Sequence, residues 1–350
     1  MTRPTRILVT HRSSHHGAWS GHAGGAHLFG ADCIVDGTGP SVSYVVAHAA
    51  SRVSADRAYG SLGVQREVEA LRTGRARGGR ASVHFLAAEH DVNHLPRIAH
   101  RLGWHTSAWF HKPPDELGEI LDRRRGLRRL DMAWAVSRTQ VPLLEERFGA
   151  ERVSLLRHGV DTARFSPPRA VDRSRRVLFV GVHRRDFAQL GRVYDRLARL
   201  DPSIERRIIV PGNAAQEVID LPHDVRLDAT DEQLLAELRT AGVVFLPLLD
   251  CTANNSLLES LATGTPVVAT DLSGVSEYAG DAAVLVPPGD DAAAVEAIRR
   301  VLDDPDEART RQQASRARSL EFDWAKAAES FRWVGDRPVG EPATIALPTR

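Results

Sequence analysis

The sequence is poor in cysteine. Cys33 and Cys251 are the only two in 350 residues, too few for a disulfide framework or a four-ligand zinc site. A charge excess of one sign is also missing. The 46 Lys and Arg stand against 45 Asp and Glu, so no broad basic field would hold the chain on nucleic acid. No apolar run approaches the roughly 18 residues of a membrane span. The opening MTRPTRILVTHRSS lacks the apolar stretch of a signal peptide. Lysine is nearly absent, at Lys112 and Lys326 alone, so phosphate contacts are expected from arginine forks and backbone amides. These absences exclude fibrous, membrane-spanning and disulfide-stapled classes. The 42% hydrophobic content supplies real cores, and a cytoplasmic globular protein of two domains is expected.

What is present is a rhythm. Short β-branched apolar runs alternate with helical patterns, which predicts βα units and largely parallel sheets. Strands are expected at 6–10, 33–36, 43–48, 82–87, 106–110, 133–137 and 153–156 in the first half. In the second half they are expected at 177–180, 207–210, 225–227, 243–246, 267–270 and 283–286. Helices are expected near 22–29, 56–72, 93–103, 115–125, 140–149, 186–200, 231–240, 254–263 and 292–303. Phe165-Ser166-Pro167-Pro168 and the charged stretch after it read as a connector. The result is an α/β chain with domains 1–166 and 167–320, a segment 321–336 and a flexible tail 337–350. Open parallel sheets bind ligands beyond the carboxyl ends of their strands.

Chemistry concentrates at 243–290. A buried strand, Val243-Val244-Phe245-Leu246, ends at Pro247, and after a short loop a helix begins near Asn254, with Asn255 and Ser256 in its first turn. Free amides at a helix start, with the helix dipole, suit an anion such as a diphosphate. Glu259 follows more than one turn on, where a carboxylate accepts hydrogen bonds from hydroxyls. After the next strand comes a glycine-containing loop, Ser273-Gly274-Val275-Ser276-Glu277. The plainer reading is one more βαβ unit with a capped helix.

Pro247-Leu248 with Asn255-Ser256-Leu257-Leu258-Glu259-Ser260-Leu261-Ala262-Thr263-Gly264-Thr265-Pro266 resembles the nucleotide-sugar signature of retaining glycosyltransferases of the family-four, or group 1, type. Gly274 with Glu277, Val284-Leu285-Val286-Pro287-Pro288-Gly289-Asp290, His158-Gly159-Val160-Asp161 with Phe165-Ser166-Pro167, and Phe322-Asp323-Trp324 resemble further parts of that pattern, in the right order. The resemblance implies a GT-B fold, in which two Rossmann-like domains face each other across a cleft. The first would be the acceptor side, the second would bind the donor, and the segment 321–336 would be a helix crossing back. It also implies transfer of a sugar from a nucleoside-diphosphate sugar to an acceptor hydroxyl with retention of configuration. No cofactor beyond that co-substrate and no metal are implied. A UDP-sugar is the first expectation for the donor, with GDP and ADP as alternatives. The acceptor would be a small molecule, a glycan or a lipid-linked sugar.

Residue by residue, Asn254, Asn255, Ser256 and Leu257 match the helix start that faces the diphosphate and sugar. Glu259 matches the glutamate that binds the donor ribose, and Glu277 the glutamate of the glycine-rich loop. Two positions depart from the family pattern. Cys251 stands where the family has its first glutamate, eight residues before Glu259. Either adjacent Asp250 substitutes for it, or Cys251 lines the donor pocket. In Val180-Gly181-Val182-His183-Arg184-Arg185-Asp186 the family's Arg-then-Lys pair is missing. Arg184 or Arg185 is expected to neutralise the departing diphosphate, against the plain reading of two exposed arginines. The departure at Cys251 keeps a catalytically silent nucleotide-sugar-binding partner as an alternative. A GT-B sugar epimerase or phosphorylase is another.

The first half carries weaker signals. A glycine-rich stretch after the first strand contains His15, Gly17 and Gly21. Such a loop can approach a ligand closely. The two glycines are expected beside the donor and His15 on the acceptor side, with no metal, because no carboxylate or cysteine sits at ligand spacing. The resemblance implies a histidine at a strand exit contacting the donor sugar, a role expected of His111, against the plainer reading of a packed histidine. Glu89 and His90, at another strand exit, are expected either to bind acceptor hydroxyls or to form a plain loop. The run Arg123-Arg124-Arg125-Gly126-Leu127-Arg128-Arg129 suggests a weak membrane-surface contact, worth about 1 kcal/mol per charge, or else a solvated helix end.

Overall fold

The computed structural model describes residues 3–10, 25–36, 60–124, 126–169, 173–218 and 224–334. Several expected features lie outside the described residues: the strand at 43–48, the starts of the helices at 22 and 56, and the loop with His15, Gly17 and Gly21. So do Arg125, residues 170–172 and the tail 337–350. The chain divides into two compact units. One holds the described residues up to His158 together with those from Ala327 onward, and the other is Gly159–Lys326.

In the first unit, β1 (Thr5–Val9), β2 (Cys33–Val35), β3 (Ala81–Phe85), β4 (His105–Phe110), β5 (Met132–Ala135) and β6 (Val153–Leu155) form a parallel sheet in the order β2-β1-β3-β4-β5-β6. Register aligns Val9, Phe85, Ala108, Ala133 and Val153 in one row. This row faces an apolar core that includes Leu95, Leu117, Leu144 and Phe148. The neighbouring row, Leu8, His84, Ser107 and Met132, faces the other way. It carries a buried polar pair, with His84 Nδ1 and the Ser107 hydroxyl 2.9 Å apart. Phe331 packs 4.5 Å from the His84 ring, and the Trp333 indole donates to the Phe29 carbonyl at 2.8 Å.

The second unit is built from β7 (Arg176–Val180), β8 (Glu205–Val210), β9 (Asp224–Leu227), β10 (Val243–Leu246), β11 (Val267–Thr270) and β12 (Val284–Val286). Their order is β12-β11-β10-β7-β8-β9, all parallel. Both faces are covered. Leu178, Leu246, Leu257 and Tyr278 pack on one side, and Phe179, Tyr194, Phe245 and Ile298 on the other. That is why β7 and β10 read as continuous apolar runs. Strand order reverses between β7 and β10, which makes their carboxyl ends the switch point where doubly wound sheets bind ligands. Each unit is Rossmann-like.

Motifs far apart in sequence meet in this unit. Val160 bridges in parallel to Asp323, its amide donating to the Phe322 carbonyl at 2.8 Å. The Thr162 hydroxyl donates to the Asp323 carboxylate. A Cβ on Gly159 would stand 2.6 Å from the Trp324 indole, so only glycine allows this approach. The division between units falls at Gly159 rather than in the proline-rich connector. Val160 and Phe165 are buried in the second core, and Arg316 Nη1 donates to the Thr162 and Phe165 carbonyls at 3.0 and 3.2 Å. Three arginines of the basic run in the first unit have local partners. Arg123 pairs with Glu119, Arg128 with Asp122, and Arg124 donates to the Glu89 carbonyl at 2.7 Å. No helix among the described residues is long and apolar enough to cross a membrane.

Burial, with a smaller effect from His111, pushes the His84 imidazole down to about 3. The unfolded chain takes up a proton at this position near pH 6.5 that the folded state refuses. Stability is therefore lost as pH falls below about 6.5. Glu67, pushed up to about 7 by burial, acts in the opposite sense between about pH 7 and its ordinary range near 4.5. Comparison with His84→Phe isolates the histidine. Denaturant titrations should show wild type losing about 2 kcal/mol relative to H84F between pH 7.5 and 5.

Candidate functional site

Two loops emerge side by side at the switch point. Residues 181–186 follow β7, and residues 247–254 follow β10. An antiparallel bridge between Arg185 and Leu248 joins them. The Leu249 amide donates to the Arg184 carbonyl at 2.9 Å, and the Asp186 amide to the Pro247 carbonyl at 3.0 Å. The first loop begins with Gly181 at φ 95° and passes through Arg184 at φ 53°. A left-handed arginine is strained by about 1 kcal/mol or more, and here the bridge to the second loop holds it.

This path turns the Arg185 side chain inward. Only 8% of the residue is exposed. Its guanidinium donates to the Val180 carbonyl from Nε and Nη2 at 3.2 and 3.1 Å, and to the His183 carbonyl from Nη1 at 3.2 Å. Nη2 also reaches Asn254 Oδ1 at 3.4 Å and Ser256 Oγ at 3.2 Å. Every acceptor is neutral, and every contact is longer than the 2.7–2.9 Å usual for an ion pair. Among the described residues no carboxylate pairs with this cation. Burial pushes it down to about 10, so it stays charged at neutral pH. A Cβ on Gly181 would stand 2.8 Å from Arg185 Nη2.

The helix Asn255–Ala262 starts beside it. Asn254 is its N-cap, the side chain accepting from the Leu257 amide at 3.1 Å. Ser256 and Glu259, three residues apart, share one helix face, and both are buried. Cys251 is 7% exposed. Burial pushes its thiol up to about 12, and Sγ donates to the Thr252 carbonyl at 3.5 Å. Asp250 is half-buried, with Oδ1 accepting from the Cys251 amide at 2.7 Å. Structure therefore brings together Gly181, Arg185, Cys251, Asn254 and Ser256, with Asp250, Asn255, Leu257 and Glu259 adjoining in the chain. Arg184 is half-buried. The plain reading of two exposed arginines fails for Arg185, because the left-handed turn at Arg184 directs it into the sheet end.

Ser273–Glu277, expected as a loop, is the start of a helix, Ser273–Ala279. Val275, Tyr278 and Ala279 bury on it, and Gly274 lets its first turn lie against the cysteine loop. Glu277 is half-buried in its second turn, and its carbonyl accepts from Arg318 Nη2 at 2.7 Å.

In the first unit, Glu89 and His90 lie on a short helix, Ala88–Asp91, rather than in a plain loop. Glu89 is buried, with Oε1 accepting from the amides of His111 and Lys112 at 2.6 and 2.7 Å. His111 follows β4, its Nε2 2.7 Å from the Leu86 carbonyl, and its ring packs with Trp109 and His158. Sequence reasoning missed Gln140. Its amide nitrogen donates to the Phe110 and Lys112 carbonyls at 3.0 and 2.8 Å, fixing the exit of β4. The capping box Ser137-x-x-Gln140 was the available signal. Among the described residues no three His, Cys, Asp or Glu side chains stand close enough to share a metal ion.

Residues 174–304 match the family described as glycosyl transferases group 1. This match falls wholly within the second unit. The matched segment contains the whole Arg185 cluster. A D-inositol 3-phosphate glycosyltransferase of Corynebacterium efficiens is 30% identical over 209 residues, 51% of this chain and 49% of that protein. A glycogen synthase of Mycobacterium tuberculosis is 31% identical over 205 residues, 53% and 49% of the two chains. The chain spans about half the length of these curated relatives. Among solved structures, a UDP-forming α,α-trehalose-phosphate synthase from Burkholderia vietnamiensis superposes with a TM-score of 0.68 at 15% identity, covering 94% of this chain and 98% of that one. The fold is GT-B.

Gly274 supports the cysteine loop. A Cβ there would stand 1.9 Å from the Cys251 carbonyl oxygen and 2.9 Å from that of Thr252, both backbone atoms that cannot swing away. Gly274→Ala is expected to cost about 1–3 kcal/mol in denaturant unfolding, and to weaken ligand binding at the Arg185 cluster by displacing residues 251–252.

Proposed function

We propose that the chain is a retaining glycosyltransferase, moving a sugar from a nucleoside-diphosphate sugar to an acceptor hydroxyl without a metal. One observation carries this reading. A buried guanidinium, surrounded by neutral oxygens at 3.1–3.4 Å, stands at a helix start. An anion arriving there would gain a bidentate charge-assisted contact from Arg185 together with the backbone amides of Asn255 and Ser256. The donor diphosphate fits that chemistry. As the bond to the sugar breaks, negative charge grows on the departing phosphate, and donors already in place stabilise it with little reorganisation. With retention, the acceptor hydroxyl attacks from the face the diphosphate leaves, and a phosphate oxygen takes its proton. Glu259 accepts hydrogen bonds from the donor ribose, Asn254 orients the first turn, and Asp250 and Cys251 line the pocket.

The family match of residues 174–304 supports donor binding by this unit. The relative named for D-inositol 3-phosphate supports a small phosphorylated polyol or sugar as acceptor. In the first unit, Glu89 is assigned to holding the backbone at His111 and Lys112, since Oε1 already accepts both amides.

Thermal-shift titration of the purified protein against UDP-, GDP- and ADP-sugars tests the donor. A ligand at 100 times its dissociation constant adds about 2.7 kcal/mol. Arg185→Gln should weaken binding about thirtyfold or more, and Glu259→Ala about tenfold, with folding intact. Donor consumption should proceed in EDTA at an undiminished rate. No stabilisation by any nucleoside-diphosphate sugar would sink the proposal.

A further inference from the structure

Two neighbouring helices, Phe187–Leu200 and Asp291–Asp303, cover the face of the second sheet that buries Tyr194 and Ile298. Between them runs a surface groove of about 600 Å³, within the roughly 300–1,000 Å³ of small-molecule sites. Arg196 and Arg199 line it from the first helix and Arg299 and Arg300 from the second, with Glu296 as the acid of the lining. Val295 and Leu200 form its apolar part, and Leu200 is 59% exposed. The acids around the groove are committed to its ends. At one end Arg192 takes Asp291 in a two-pronged contact at 2.7 and 3.1 Å. At the other, Arg175 holds Asp201 at 2.7 Å and Asp303 at 2.9 Å. Arg299 shares that Asp303 at 3.3 Å, and Arg300 reaches Glu307 only at 3.8 Å, while Arg311 holds it at 2.9 Å. Among the described residues no carboxylate pairs with Arg196 or Arg199. Arg199 and Arg300 stand in the last turns of their helices, where the dipole favours a cation. Arg196 stands outside that turn.

Like charges gathered around one groove repel, and an anion between them relieves the repulsion. Guanidinium forks match phosphate oxygens in pairs. We propose that this groove binds a small molecule carrying two or more phosphate groups, with the phosphates among Arg196, Arg199, Arg299 and Arg300 and the carbon skeleton on Val295 and Leu200. Its concave form selects a small molecule, because a flat anionic bilayer would meet the rims and leave the floor empty. The site is separate from the Arg185 cluster. Arg185 precedes the helix that starts at Phe187, and Arg196 lies nine residues into that helix, roughly 14 Å along its axis.

The Arg185→Gln protein takes the donor cluster out of the measurement. Its binding of inorganic pyrophosphate, inorganic tripolyphosphate and a hexose bisphosphate is measured by calorimetry, alone and with Arg196→Gln and Arg199→Gln added together. Arg309→Gln, at an exposed arginine outside the groove, is the control. R185Q should bind at least one of the three with one site per chain. Adding R196Q and R199Q should weaken that binding about tenfold or more without lowering the melting temperature. Leu200→Asp, which brings an acid into the groove and leaves every arginine in place, should weaken it as well. Adding R309Q should leave binding within about twofold. No binding to R185Q would overturn the proposal, as would equal binding with and without the groove arginines, or an equal loss from R309Q. Flotation with vesicles of phosphatidylcholine and phosphatidylserine in equal parts separates a bilayer from a soluble ligand. Vesicle binding that needs Arg196 and Arg199, with no binding of the soluble phosphates, would make the groove a membrane contact and overturn the small-molecule site.

Discussion

A buried cation with no carboxylate against it among the described residues stays where it is only because the surrounding backbone leaves it nowhere else to go. Arg185 is held in that way. The adjacency of β7 and β10 puts two loops in register, and a single bridge between Arg185 and Leu248 locks them. Gly181 removes the Cβ that would strike the guanidinium. Asn254 caps a helix and touches the same guanidinium. Removing any of these would leave the cation free to find water or a carboxylate. Local strain at Arg184 and the burial of Ser256 accompany that arrangement.

Half-buried arginines of this lysine-poor chain are satisfied in different ways. Arg173, pushed down to about 10 by burial, closes two helix ends. It donates to the Leu238 and Ala241 carbonyls at 3.1 Å and to the Thr263 carbonyl at 2.8 Å. Those carbonyls carry the negative ends of their helix dipoles, so the site is complete without a ligand. Arg176 and Arg207 meet Glu237 at 2.9 and 2.5 Å, short pairs between opposite charges. Among the described residues Arg185 meets neither the carbonyl end of a helix nor a carboxylate. That contrast sets Arg185 apart from a structural strut more firmly than burial or composition does.

Much of the second unit was legible from residue order. β10 and β11 fall where the apolar runs are, because strands covered on both faces have no polar positions to blur their limits. Asn254 as a helix cap was legible because a short side chain before a polar first turn has a local cause. The choice between Arg184 and Arg185 was not, since neighbouring residues point apart and a left-handed backbone angle decides which one turns inward. The helix at Ser273 was hidden by Gly274, which reads as a loop residue until its tight contact with Cys251 is seen. Glu89 looked like a ligand because its partners, the amides of His111 and Lys112, lie more than twenty residues away. The same applies to the division at Gly159, which depends on what Val160 and Phe165 bury against.

The bridge from Val160 to Asp323, sealed by Trp324 over Gly159, joins the point where the chain enters the second unit to the point where it leaves. A segment of more than 150 residues thus begins and ends at one place, tied by its own backbone. In topological terms the second unit is an insert whose two ends are already fastened together, the arrangement under which domain insertion and circular permutation are tolerated. Its loops carry the candidate site, so the part of this protein that bears that site is a cassette that closes on itself.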